Sequence, residues 1–222
     1  MSRSVVRQLI VKDLYLTRWM VLGSLAAGAA ALAMMPHSLV SGYVSSISLI
    51  CTLVILNIFL VMSGIVQERK DKVQLFFLSL PVSTAQYTIA KIVANAIGFV
   101  VPWGVLTIAT LIVIDVTAIP NGVVPFWVAV LVYLLAYYCV LLSVAIVSDS
   151  TGWHATTITL GNLSVNFLIP FLLSLPSVFE HRTGSVAVWT PDIVAIIAIE
   201  LGVGVLALCA GVYVRSRAAD FV

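Results

Sequence analysis

The stretch ERKDKVQLFFLSLPVSTAQYTIAK, residues 68–91, separates two apolar runs at 44–66 and 92–114. It opens with five charged residues in succession, whereas each flanking run has about the 20 apolar residues that a helix needs to cross a bilayer. Of the 222 residues, 62% are hydrophobic and 9% are charged, and soluble domains have about a quarter charged. The composition therefore predicts an integral membrane protein.

Six apolar runs are long enough to span a membrane. Backbone groups in lipid must pair within their own segment, so each run is expected to be a helix. The sequence thus predicts an all-α integral membrane protein with one six-helix transmembrane domain, residues 19–222. Its spans are expected at 19–35, 44–66, 92–114, 124–147, 155–175 and 193–214.

The basic residues lie almost entirely on one side of these spans. Ten of the eleven fall in the first 18 residues, in the 67–91 loop or after the last span, and only Arg182 falls on the other side. Basic residues favour the cytoplasmic side. Both termini and the loops 67–91 and 148–154 are therefore expected to be cytoplasmic. The expected location is the inner or plasma membrane of a cell, with a bacterial cell as the expected source.

Residues 1–18 have a partly amphipathic helical pattern. Lys12 and Asp13 interrupt it. The segment is predicted to be an amphipathic helix in the membrane surface, or else a cytoplasmic extension of the first span. The two faces of the pattern are Arg3, Arg7 and Arg18 against Val5, Leu9 and Leu16.

The loop after the second span contains a short apolar segment. Residues 73–80 favour a helix that must end at Pro81, because proline cannot continue the hydrogen-bond ladder. Ser83 is a favourable N-cap for a second helix that leads into the third span. The apolar patch around Phe76 and Phe77 would either enter the lipid headgroups or contact a protein partner.

These features resemble the first cytoplasmic loop of ABC-transporter permeases of the type-2 exporter class. The resemblance lies in charges after an acidic residue, a short apolar stretch, the elbow at 80–83 and the Tyr-x-x-Ala-Lys at 87–91. The cytoplasmic start and six spans are similar over the whole chain. The resemblance implies that 68–80 is a coupling helix that docks on a separate ATPase subunit, and that 1–18 is the connecting helix. The implied docking residues are Glu68, Arg69, Val73, Leu75, Phe76, Phe77 and Leu80.

The resemblance also implies partners. The sequence has no G-x-x-x-x-G-K-[ST], the motif that holds ATP phosphates in P-loop proteins. We therefore expect no cofactor and no enzyme activity on this chain, with ATP and Mg on the partner. A complex would hold two ATP-binding cassette subunits, a second permease copy or a paralogous permease, and membrane lipid, without nucleic acid. The two permeases would form an export path as a dimer.

Several polar residues fall inside the predicted spans. A carboxylate such as Glu200 costs at least about 2.5 kcal/mol in the membrane centre, so it would line the path, carry a proton, or be a protonated acid bonded to another helix. A proton-coupled secondary carrier using Glu200 is the alternative function. The resemblance to the permease family implies that residues 166–180 form two short helices dipping in from outside, and the alternative is a kinked fifth span followed by a loop. The candidate path residues are Asn57, Asn162, Asn166 and Glu200.

Overall fold

The computed structural model describes residues 2–67 and 84–218, and these ranges contain helices and no β-strand. Six of the helices are long and apolar enough to cross a membrane, which confirms the predicted all-α class and the number of spans. The long helices are α1 (Ser2–Met34), α2 (Leu39–Val61), α3 (Thr84–Val116), α4 (Val124–Val147), α5 (Thr151–Ser174) and α7 (Pro191–Ala218), and the short elements are a π-helix (Met62–Gln67), a 3₁₀ turn (Asn121–Val123) and α6 (Pro176–Phe179).

The first helix continues through the predicted boundary at residue 18. α1 is one helix from Ser2 to Met34, so the amphipathic segment and the first span share a backbone. A single continuous helix is the arrangement expected if residues 1–18 extend the first span. A location of residues 1–18 in the membrane surface stays a prediction.

α2 begins with a capping box. The backbone N–H of Ser41 donates to Ser38 Oγ over 3.1 Å, and the N–H of Ser38 donates to Ser41 Oγ over 2.8 Å. These bonds satisfy backbone groups that the first turn of a helix leaves unpaired. The short turn after Met34 therefore reverses the chain and places α1 and α2 side by side.

α4 is the central helix. Most of its residues are buried, and it packs against α7 most extensively and also against α5, α2 and α3. Neighbouring helices are joined by side chains that donate to backbone carbonyls, a favourable contact where no water competes. These bonds are Ser45 Oγ to Ala31 (2.6 Å), Trp103 Nε1 to Leu131 (2.8 Å), Ser143 Oγ to Ala207 (2.6 Å) and Tyr137 OH to Ile158 (3.3 Å).

Glycines allow close approach at two faces of α4. A Cβ at Gly161 of α5 would overlap the ring of Tyr137, and one at Gly211 of α7 would overlap Ser143. A Cβ at Gly204 would lie 3.3 Å from Cα of Ala136. Small residues at such positions let helix backbones pack closely in membranes.

The end of α5 and the segment after it bear on one question that the sequence left open. α5 continues through Pro170 to Ser174, and only the single turn α6 follows before α7. Within residues 166–180 the described elements are thus the end of one continuous helix and a single further turn, and their position relative to the membrane stays a prediction. The N–H of Gly122 donates to the carbonyl of Gly184 over 2.9 Å, so the loop before α7 packs on the connection between α3 and α4.

Candidate functional site

The predicted docking residues Glu68, Arg69, Val73, Leu75, Phe76, Phe77 and Leu80 lie outside the described residues, so their role stays a prediction. The structure does describe the helical residues on either side of this segment. These are the π-helix that ends at Gln67 and the start of α3 at Thr84. The helices next to these points carry an interhelical polar network.

We define the polar junction as Asp13 of α1, the Leu60 carbonyl of α2, Lys91 and Asn95 of α3, and Tyr138 of α4. Lys91 Nζ lies 2.7 Å from Asp13 Oδ2, and the two side chains are only 9% and 12% exposed. An ion pair this well buried is screened little by water or salt. It therefore fixes α1 against the first turns of α3.

Asn95 lies one helical turn beyond Lys91 and uses both ends of its amide. Its Nδ2 donates to the Leu60 carbonyl over 2.8 Å, and its Oδ1 accepts from Tyr138 OH over 3.2 Å. The Tyr138 ring stacks on Phe99 with centroids 4.2 Å apart. All of these side chains are buried, so the amide is held between α2 and α4 in a fixed orientation.

The π-helix begins two residues after Leu60. A Cβ at Gly64, inside the π-helix, would lie 2.9 Å from Asn95 Nδ2, so glycine at this position leaves room for the amide. π-helical turns are rare and occur often at functional sites. A cavity of about 20 Å³, room for one water molecule, lies in the junction and is lined by Asp13, Thr17, Leu60, Gly64, Lys91, Ala94 and Asn95.

Two of the predicted path residues are buried inside the bundle. Asn57 is 1% exposed, and neither atom of its amide has a hydrogen-bond partner among the described residues. Glu200 is 8% exposed, and neither of its carboxyl oxygens has a hydrogen-bond partner among the described residues. Glu200 lies on α7 near Tyr133 of α4, whose hydroxyl shares a hydrogen bond with Ser164 of α5.

The other two path residues lie on α5. Asn166 Nδ2 donates to the Asn162 carbonyl over 2.8 Å, so the structure brings these two together. Asn166 is exposed and Asn162 is half-buried, on the face that also exposes Thr156 and Thr159. The opposite face, with Gly161 and other buried residues, packs against α4. We name Thr156, Thr159, Asn162 and Asn166 the α5 polar stripe, and it faces away from the chain's own bundle.

Sequence reasoning missed the polar junction. It treated Asp13 as a break in an amphipathic pattern and Lys91 as one more basic loop residue, whereas the two form a buried pair. A signal was present, because Asp13 is the only acidic residue before Glu68 and Asn95 interrupts an apolar run one turn after Lys91. The packing of α1, α2 and α3, which brings these residues together, could not be predicted from the sequence.

The fold and the polar groups inside it define an all-α, multi-pass membrane protein. Comparison with protein-family models, with curated proteins and with solved structures finds no match to this chain. A more specific assignment therefore depends on the residues themselves.

Proposed function

We propose that the chain is the permease subunit of an ATP-driven ABC exporter, working as a dimer with separate ATPase subunits that dock on residues 68–80. The observation that carries the proposal is the loop sequence at 68–91 together with the buried polar junction at its base. ATP binding would act through the partner, because a ligand shifts a conformational equilibrium only by binding one state more tightly.

The polar junction supports this proposal because a docking loop needs a stiff base. The Asp13–Lys91 pair and the Asn95–Leu60 bond join α1, α2 and α3 within about two turns of the loop. A force applied to the loop would then move three helices together.

The α5 polar stripe supports a dimer that encloses a path. Asn166, Thr156 and Thr159 are exposed on a helix that spans the membrane. Polar side chains at this depth normally face protein or water, because lipid offers them no partner. A second permease copy, or a path between two copies, would cover the stripe.

The orientation in the proposal has both termini in the cytoplasm of a bacterial cell. The positive-inside rule supports it, and an aromatic and basic cluster on α1 fits a membrane–water interface at this point of the chain. The Arg18 guanidinium lies 3.6 Å from the ring centroid of Tyr15 and 5.2 Å from that of Trp19. Both rings are exposed, as expected for side chains at a membrane–water interface.

Substitution of the loop phenylalanines tests the proposal. We expect the wild-type chain to co-purify with a P-loop ATPase, and Phe76→Asp or Phe77→Asp to lower the retained ATPase on the order of 10-fold or more, as for a buried interface anchor. A charge in an apolar contact loses the burial and remains unpaired. The measurement is the amount of ATPase retained on the affinity-tagged chain in detergent.

The matched control is Phe179→Asp. Phe179 is an exposed phenylalanine in the loop predicted on the opposite side of the membrane, so this variant should retain the partner. Full retention by both loop variants would remove the docking assignment. A wild-type chain that brings down no P-loop protein would contradict the exporter itself.

A proton-coupled carrier is the second candidate, and one observation favours it. Glu200 is a buried carboxyl whose oxygens have no hydrogen-bond partner within the described parts of the chain. Such a group in a membrane is a candidate proton site. A carrier of this kind would work without an ATPase.

The substitution Glu200→Gln separates the two functions. Glutamine is a neutral amide of nearly the same shape, so under the exporter proposal we expect the variant complex to hydrolyse ATP close to the wild-type rate. Liposomes containing the chain alone should hold a pH gradient, measured with an enclosed pH-sensitive dye. A proton flux that Glu200→Gln abolishes, and that the exposed outer-loop change Glu180→Gln leaves intact, would favour the carrier.

A further inference from the structure

A π-helix forms the end of the second membrane-spanning segment. Residues Met62–Gln67 follow α2 directly and lead into segment 68–83. A π-helix pairs each N–H with the carbonyl five residues earlier, and an α-helix with the one four residues earlier. A change of register by one residue would turn everything after it by about 100° around the helix axis.

The Asn95 side chain lies beside the end of α2, where the α-helix gives way to the π-helix. In an α-helix, the N–H of residue 64 would donate to the carbonyl of residue 60. Asn95 Nδ2 lies 2.8 Å from this carbonyl and 2.9 Å from the position of a Cβ at Gly64. A donor from α3 therefore serves the Leu60 carbonyl at the point where the helix changes register.

The amide cannot turn away easily. Tyr138 OH donates to its oxygen over 3.2 Å, and the Tyr138 ring is stacked on Phe99. The Asp13–Lys91 pair holds the preceding turn of α3. The donor is thus fixed by α1, α3 and α4, none of which includes the π-helix.

We propose that Asn95 is a positioning residue that holds residues 62–67 in the π register. The register itself is a property of this chain alone. Its consequence for docking of an ATPase rests on the proposed function, so the two are tested separately.

The register can be read from cysteine reactivity. Ile65 and Val66 are buried in the π-helix and Gln67 is exposed. α2 buries Leu60 and Val61, and an α-helical continuation at spacings of three and four would bury positions 64 and 65 and expose 66. Position 66 therefore reports the register, and position 65 is an internal reference that is buried in both registers.

The test uses the full chain in membranes, with Cys51, Cys139 and Cys209 replaced by alanine, and measures alkylation by N-ethylmaleimide. With Asn95 present, Ile65→Cys and Val66→Cys should both be protected and Gln67→Cys should react. With Asn95→Ala, we expect Val66→Cys to react at least several-fold faster and Ile65→Cys to stay protected. Asn95→Asp, which keeps the shape but loses the donor, should act in the same way.

Asn166→Ala is the matched control, since Asn166 also donates its amide to a helix carbonyl over 2.8 Å but lies on the exposed stripe of α5. It should leave position 66 protected. Continued protection of Val66→Cys in both Asn95 variants would overturn the proposal. Equal reaction at positions 65 and 66 would also overturn it, because that pattern reports fraying of the helix end.

A functional measurement then follows for the complex. If an ATPase co-purifies with the wild type, the Asn95→Asp chain should retain several-fold less of it because the docking segment points elsewhere. Undiminished retention despite a shifted register would remove the link to docking. If no ATPase co-purifies, the exporter proposal fails, while the alkylation pattern still decides the role of Asn95.

Discussion

Asp13→Ala is expected to lower the free energy of unfolding by about 3–5 kcal/mol, the usual cost of removing one partner from a buried ion pair. The substitution takes away the carboxylate 2.7 Å from Lys91 Nζ and leaves the ammonium in a site where the Lys91 side chain is only 9% exposed. The measurement is unfolding in mixed micelles by titration with a denaturing detergent, followed by tryptophan fluorescence.

Two further variants show whether the loss comes from the pair. Lys91→Met added to Asp13→Ala removes the remaining charge and should recover most of the stability, since replacing a whole buried pair by apolar groups is often neutral. Lys12→Ala is the surface control, because Lys12 is 38% exposed and lies 3.7 Å from the same carboxylate. Exposed pairs contribute at most about 1 kcal/mol. A double variant no more stable than Asp13→Ala would contradict the assignment.

Gly161→Leu should have the next largest effect, a loss of about 3 kcal/mol from overpacking and a weakened contact between α5 and α4. Even a Cβ at this position would overlap the ring of Tyr137, which is buried and donates its hydroxyl to the Ile158 carbonyl of α5. The leucine side chain would therefore have to displace a buried ring that is also hydrogen-bonded. The same unfolding titration measures the effect.

Gly202→Leu is the matched control on α7, because no described atom lies within 4 Å of a Cβ built at Gly202. It should leave stability nearly unchanged, or raise it slightly through better helix propensity. Tyr137→Ala combined with Gly161→Leu should recover part of the loss by making room for the leucine. Similar losses for Gly161→Leu and Gly202→Leu would show that helix packing at Gly161 is not the cause.

The spans were predictable from the sequence because crossing a bilayer requires a local property, a run of apolar residues. All six predicted runs fall largely within long helices. The ends were less predictable, since a helix does not stop where the hydrocarbon stops: α3 already begins at Thr84, although its apolar run begins at 92. Pro170 suggested a break in the fifth span, but the helix continues past it to Ser174.

The candidate site was less predictable because its contacts are not local. Asp13 and Lys91 come from helices far apart in the chain, and no spacing rule connects them. The π-helix lies beside an amide from α3 that donates to the Leu60 carbonyl, and this contact between distant residues also has no sequence pattern. By contrast, Asn162 and Asn166 were predicted to share a face from their separation alone, and they do lie one turn apart in contact.

The central place of α4 has a consequence for how the protein is made. α1, α2 and α3 pack on one another, whereas α5 and α7 pack chiefly on α4. As the nascent chain leaves the ribosome, the first three helices can gather into a stable unit before the rest exists. The fifth and sixth crossings have no such early partner and must wait for the fourth, so we expect biogenesis to proceed by adding single helices to a finished three-helix nucleus.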